Sequence, residues 1–273
     1  FNNEHHSWSK GLNQFSYLTV EERASLLQRT TISNFNSSYD DNLLKTAGLK
    51  LKTQSGPNKI DWNQKGYVSP VKDQGKCKCS YAFTTNGAIE SAYMISGKNV
   101  TMSEQEILDC SQSFGNNACD TGSNTNTFQY IKSNSISSEA DYKYTGTPNQ
   151  CKPVTPASKY SIKDFTSCPV TINSLLKCVL IAPTATAMFV KDDFLDYEKG
   201  IYEAESSCGS ISQINAFVLV VGYDLEAQVP FLVIKNSWGT SWGNLGFAQL
   251  AIGERVTGPC FIAGSDQMTY VTV

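Results

Sequence analysis

The residues whose types and spacing could do chemistry lie in two stretches far apart in the chain. The first is Gln74-Gly75-Lys76-Cys77-Lys78-Cys79-Ser80-Tyr81-Ala82-Phe83, an amide, two thiols and a hydroxyl at the mouth of an apolar run. The second is Asn236-Ser237-Trp238-Gly239-Thr240-Ser241-Trp242-Gly243. A nucleophile at the start of a helix gains from the dipole, which favours negative charge there. A hydroxyl gains far less than a thiol, because it stays protonated until a base removes its proton during attack. A histidine base is what the sequence withholds: both histidines, His5 and His6, sit near residue 1, and none follows. An amide cannot replace it, since asparagine neither accepts nor returns a proton near neutral pH.

Elements able to hold these residues are legible around them. Ala82, Phe83, Ile89, Ala92 and Tyr93 recur at helical spacing and Gly97 stands where a helix would stop, so a helix is expected over 80–95 with Ser80 at its start. Ser103-Glu104-Gln105-Glu106 reads as a capping box opening a short helix to Cys110, and a third helix is expected over 124–132. Thr19-Val20-Glu21-Glu22 is another capping box, for a helix over 20–29. Beyond about residue 158 the period changes to that of strands. They are expected over 159–165, 186–190, 217–223, 231–235, 247–252 and 268–273, interrupted by a helix over 171–181 before Pro183. Helices followed by strands imply an α+β fold in two lobes, with a ligand cleft between them.

Bulk properties narrow the class. The chain has 273 residues, 40% hydrophobic and 17% charged, enough for a large globular core. A net charge of −3 and a pI near 5.5 argue against nucleic acid or an anionic membrane as partner. No apolar run approaches the roughly 18 residues of a membrane span. Nine cysteines spread through the chain favour disulfides over a metal site. With the acceptor patterns Asn36-Ser37-Ser38 and Asn99-Val100-Thr101 they point to an oxidising compartment. Residues 1–56 hold no cysteine and end in the linker-like Thr53-Gln54-Ser55-Gly56-Pro57, a natural site of cutting, so the chain divides into 1–56 and 57–273.

From about Pro57 onward the chain resembles the papain family of cysteine peptidases. Cys77-Lys78-Cys79-Ser80-Tyr81 is similar to that family's nucleophile signature. Asp61-Trp62, Ser103 to Cys110, Val221-Gly222-Tyr223 and the Asn236-Ser237-Trp238-Gly239 segment follow in the family's order. Gly11-Leu12-Asn13-Gln14-Phe15-Ser16-Tyr17 resembles the inhibitory propeptide's Gly-x-Asn-x-Phe-x-Asp, departing at Tyr17. The resemblance implies a papain-like α+β fold with a helical left lobe and a β-barrel-like right lobe, and a partial propeptide in residues 1–56. It implies the bridges Cys77–Cys119, Cys110–Cys151 and Cys208–Cys260. Cys168 and Cys178 could form a fourth, leaving Cys79 odd.

The same resemblance assigns roles. Gln74 would donate to the oxyanion, or simply hold its loop. Ser80 stands at the nucleophile, and is also a good first residue for a helix. Asn215 stands at the histidine, Asn236 at the residue that orients it, and Trp238 beside that pair. Lys78 replaces a glycine beside the nucleophile, and Gly122 would pair with peptide backbone along the cleft. Cys79, one residue or about 100° from Ser80 on a helix, should point away from the cleft. With thiol and imidazole both replaced, the expectation is an inactive homologue of the secretory pathway, extracellular space or a lysosome- or vacuole-like compartment. It would need no metal or cofactor, and would serve as scaffold or peptide- and partner-binding module, its own N-terminal segment being one candidate for the cleft. The alternatives are a weak serine-type peptidase using Ser80 with Asp73, Lys78 or water as base, a cysteine-type peptidase if Ser80 is an introduced substitution, and a disulfide-rich domain recognised only by its surface.

Overall fold

The change of period near residue 158 is a change of lobe. The computed structural model describes residues 6–27, 56–152, 159–203, 208, 213–253 and 255–273. In chain order its elements are β1 (Trp8–Lys10), α1 (Val20–Leu26), β2 (Lys59–Asp61), α2 (Ser80–Ile95), α3 (Glu104–Cys110), α4 (Asn124–Asn134), β3 (Ile136–Ser137), β4 (Lys159–Tyr160), β5 (Asp164–Ser167), α5 (Ile172–Ile181), β6 (Thr184–Met188), α6 (Asp192–Leu195), β7 (Tyr197–Tyr202), β8 (Ala216–Asp224), β9 (Phe231–Lys235), β10 (Phe247–Ala251) and β11 (Thr269–Thr272). Helices α2, α3 and α4 make one lobe and the strands from β5 onward the other, the α+β arrangement expected.

Helix α2 is the axle between them. It is buried from Ser80 through Ala92, its polar Thr84, Thr85, Asn86 and Glu90 included, and packs on α3 and α4 as well as on β8, so over that stretch it presents no face to solvent. It ends where expected: the N–H groups of Ser96 and Gly97 reach back to Ala92 and Met94, and Gly97 takes φ +87°. The caps read from sequence are made by side chains. Thr19 and Glu22 close a full capping box on α1, and Ser103 Oγ accepts the Glu106 N–H at 3.0 Å. Ser123 and Thr171 cap α4 and α5 in the same way.

Among the described residues the strands form a nine-stranded sheet ordered β1-β7-β10-β9-β8-β6-β11-β5, with β2 also on β8. Every residue of β8 is buried, which its continuous apolar run requires. The run over 159–165 divides, because β4 pairs with β3 while β5 pairs with β11. Strands β1 and β7 escaped the sequence reading. β1 has three residues and exists only by antiparallel pairing with β7, and β7 carries Gly200 in its middle at φ +90°. A Cβ on Gly200 would stand 2.3 Å from the Ser7 carbonyl oxygen, so the close approach of β1 needs glycine there. Four disulfides join Cys77 to Cys119, Cys110 to Cys151, Cys168 to Cys178 and Cys208 to Cys260. No helix of the described residues is long and apolar enough to cross a membrane.

Candidate functional site in the cleft and its N-terminal cover

The two chemistry-bearing stretches meet where the start of α2 abuts the loop after β9. Gln74 sits between them, its N–H on the Ser237 carbonyl, its Oε1 accepting the Ser237 hydroxyl at 2.6 Å and its Nε2 donating to the Cys77 carbonyl at 2.8 Å. One of its two amide hydrogens is thereby committed to the loop it would serve. Ser80 is the first residue of α2 and only 4% exposed. Its oxygen accepts the backbone N–H of Phe217 in β8 at 3.0 Å, so the hydroxyl is tied to the strand lobe.

Asn215 does not face that hydroxyl. Its amide makes two bonds to one residue, accepting the Val190 N–H at 2.7 Å and donating to the Val190 carbonyl at 3.0 Å. The position expected to hold a base is a clasp between β6 and β8. The residue preceding Phe217 is Ala216, the first of β8, which carries only a methyl group. Asn236 is 4% exposed, and one end of its amide accepts the Ser237 N–H. The other end, Nδ2, is buried without a partner. An unpaired buried amide group costs about 1–3 kcal/mol.

The remaining positions are structural in their contacts. The Cys79 thiol is fully buried, 3.3 Å from the Tyr144 hydroxyl, and burial pushes it up to about 12, far from the thiolate a nucleophile needs. Tyr144 also donates to the Gln74 carbonyl at 2.8 Å, a brace between residues 70 positions apart that no local pattern signals. Gly122 has room for nothing more: a Cβ there would lie 2.4 Å from the Tyr81 ring, whose hydroxyl is fixed on the Ala118 carbonyl. Lys78 is half-buried on the loop between Cys77 and α2.

Trp238 is buried in an aromatic cluster, edge-on to Trp242 at 4.9 Å and near Phe194. The N-terminal segment closes over it. Phe15 stands edge-on to Trp238 at 5.4 Å, Gln14 bonds the Trp238 carbonyl and the Ser241 hydroxyl, and Asn13 donates to the Leu195 carbonyl. Trp8 packs on both Tyr197 and Tyr202. Arg23 of α1 holds both oxygens of Asp196 at 3.0 Å, a fork matched to a carboxylate. Tyr17, the residue departing from the propeptide pattern, is exposed. The described part of the segment therefore lies on the strand lobe beside Trp238; residues 28–55 and Asn36 lie outside the described residues.

The sequence model of the papain family cysteine proteases matches residues 56–270, across both halves of this site. The chain belongs to the papain family. It is 36% identical over 259 residues to the thiol protease aleurain of Arabidopsis thaliana, covering 92% of this chain and 70% of that protein. It is 34% identical over 249 residues to a cathepsin L-like proteinase of Fasciola hepatica, covering 90% of this chain and 74% of that one. The structure of digestive procathepsin L 3 from Tenebrio molitor larval midgut superposes on all of this papain-family chain and 85% of its own, with a TM-score of 0.83 at 30% identity. A ragweed pollen cysteine protease in its proform gives 0.84 at 28% identity, covering all of this chain and 76% of that one.

Proposed function

We propose that this papain-family chain is catalytically silent and acts by binding, as a scaffold or as a module for a peptide or protein partner. The reading is carried by the state of the two chemical positions. The hydroxyl of Ser80 accepts the backbone N–H of Phe217, and the residue before that N–H is Ala216, which offers only a methyl group. We place the base position at Ala216 rather than Asn215, and the partnerless Nδ2 of Asn236 supports this, since an orienting amide with no imidazole to orient is left unpaired. Nucleophile and base act as a unit, so loss of both leaves only the residual effect of binding and oxyanion donors. Those donors are depleted here as well, because Gln74 already serves Cys77.

Binding then falls to surfaces that keep their form. The strand lobe holds the N-terminal segment through Trp8, Asn13, Phe15 and Arg23, and that segment is the first partner we assign to the chain. Four disulfides and the exposed Asn99 of its glycosylation pattern favour a secretory or vacuole-like compartment.

The test is hydrolysis of a fluorogenic peptide library by the purified chain, with and without residues 1–56, beside Ser80→Ala. No cleavage by either form is the expected result. Cleavage that disappears in Ser80→Ala would overturn the reading in favour of a serine-type peptidase, and its base would have to be sought among Asp73, Lys78 and water.

A further inference from the structure

The first turn of α3 carries a cluster of charge separate from the cleft. Glu104 is 1% exposed; its Oε1 accepts from Lys72 Nζ at 2.7 Å, and its Oε2 is buried without a partner. Glu139, in the turn after β3, accepts the Tyr144 N–H at 2.9 Å with Oε1, and its Oε2 is likewise buried without a partner. Backbone contacts bring the two residues together: the Glu139 N–H donates to the Thr101 carbonyl at 3.0 Å, Met102 pairs with Ser138, and the Ser103 hydroxyl donates to the Tyr142 carbonyl, so both orphaned oxygens are buried where the 138–144 turn meets the start of α3. An ionised carboxylate oxygen only accepts, so two of them in contact repel and leave each other unsatisfied. One proton between them turns that clash into a charge-assisted O–H···O bond, among the stronger hydrogen bonds a protein makes.

We propose that Glu104 and Glu139 share a single proton in the folded protein, and that this acid pair clamps the 138–144 turn onto α3. The charges that face the pair agree with it. Lys72 comes from the loop before α2, Glu90 from α2 and Lys235 from β9, while the Cys79 thiol and the Tyr144 phenol lie within electrostatic range of Glu104. Two ammonium groups stand against Glu90 and the pair. With one shared proton the pair carries one negative charge and the cluster is neutral. With none, three carboxylates would face two cations in a buried space, an imbalance that interiors do not tolerate cheaply. Burial, only partly offset by Lys72, pushes the Glu104 carboxyl up to about 7, and burial raises Glu139 too.

The clamp reaches the cleft through one residue. Glu139 holds the Tyr144 backbone, and the Tyr144 hydroxyl holds the Gln74 carbonyl and touches the Cys79 sulfur, so the shared proton braces the turn leading into α2. The linkage has a definite sign. The folded state binds this proton more tightly than an unfolded glutamate, whose pKa is about 4.3. The stabilisation is complete below that value and fades as pH rises toward about 7. Lys235 acts elsewhere: burial lowers it to about 8, so its effect falls above neutrality.

Infrared spectroscopy of the whole chain tests this, together with urea unfolding across pH. At about pH 6 the wild type should show a protonated-carboxyl band that Glu139→Gln removes, because the new amide donates to Glu104 without a proton. The same substitution should abolish the fall in unfolding midpoint between about pH 5 and pH 7. A wild type without the band, a band that survives in Glu139→Gln, or an unchanged pH profile would each overturn the proposal. Should Glu139→Gln fail to fold, the wild-type band decides alone. Its loss as pH rises through neutrality supports a shared proton, and its absence or persistence above that range contradicts one.

Discussion

The seat of the N-terminal segment and the cleft it borders are a few ångströms apart and tell opposite stories. In the seat, the propeptide-like residues that touch the strand lobe find partners: Asn13 on Leu195, Phe15 on Trp238, Arg23 on Asp196. In the cleft the frame is intact but its polar groups turn to other uses. Ser80 supports Phe217, Gln74 supports Cys77, Asn215 clasps Val190 and Asn236 is left half-satisfied. The difference teaches that the contacts of a docking surface and the roles of a catalytic site are held by different residues even where they share Trp238.

That contrast can be broken first at the seat. Phe15→Ala removes a buried ring from the aromatic cluster and should cost about 3–5 kcal/mol of docking. Limited proteolysis, which tracks the opened population, should then release residues 1–56 far faster than in the wild type. Equal rates would mean the segment is held elsewhere. Arg23→Ala removes the fork on Asp196 and should have a smaller effect, about 1–2 kcal/mol, read by the same proteolysis.

The cleft should respond in the opposite manner. Asn236→Leu removes an unpaired buried Nδ2 but also unpairs one backbone N–H, that of Ser237, and should lower the urea midpoint less than Asn215→Leu, which unpairs both the N–H and the carbonyl of Val190. If both destabilise equally, Asn236 has a role that its contacts do not account for. The smallest effect is expected at Ser80: replacing it by cysteine alone should yield no peptidase activity above background, since no base follows.

Much of the fold was legible because its signals are local. Helix α2 runs from Ser80 to Ile95 as its apolar spacing and Gly97 indicated, and Ser103 caps α3 as its pattern indicated. What escaped depends on partners distant in sequence. β1 is too short to exist without β7, and the brace from Tyr144 to Gln74 spans a separation no local pattern records. The cleft was legible as a frame but not to the residue. In the extended chain leading into β8 neighbouring side chains alternate in direction, and only the bonds of Asn215 to Val190 show which way its side chain turns. The partnerless oxygens of Glu104 and Glu139 also needed coordinates, since the two residues sit in separate turns.

The proposed catalytic silence of the chain rests on Ser80 at the nucleophile position and Ala216 at the base position. The direct measurement is peptide hydrolysis by two double variants freed of residues 1–56, Ser80→Cys with Ala216→His and Ser80→Cys with Asn215→His. The account predicts that the first cleaves about 10²–10⁴-fold faster than Ser80→Cys alone, the usual contribution of a placed base, and that the second does not. Activity from the Asn215→His pair and none from the Ala216→His pair, or Ser80-dependent cleavage by the unaltered chain, would contradict it.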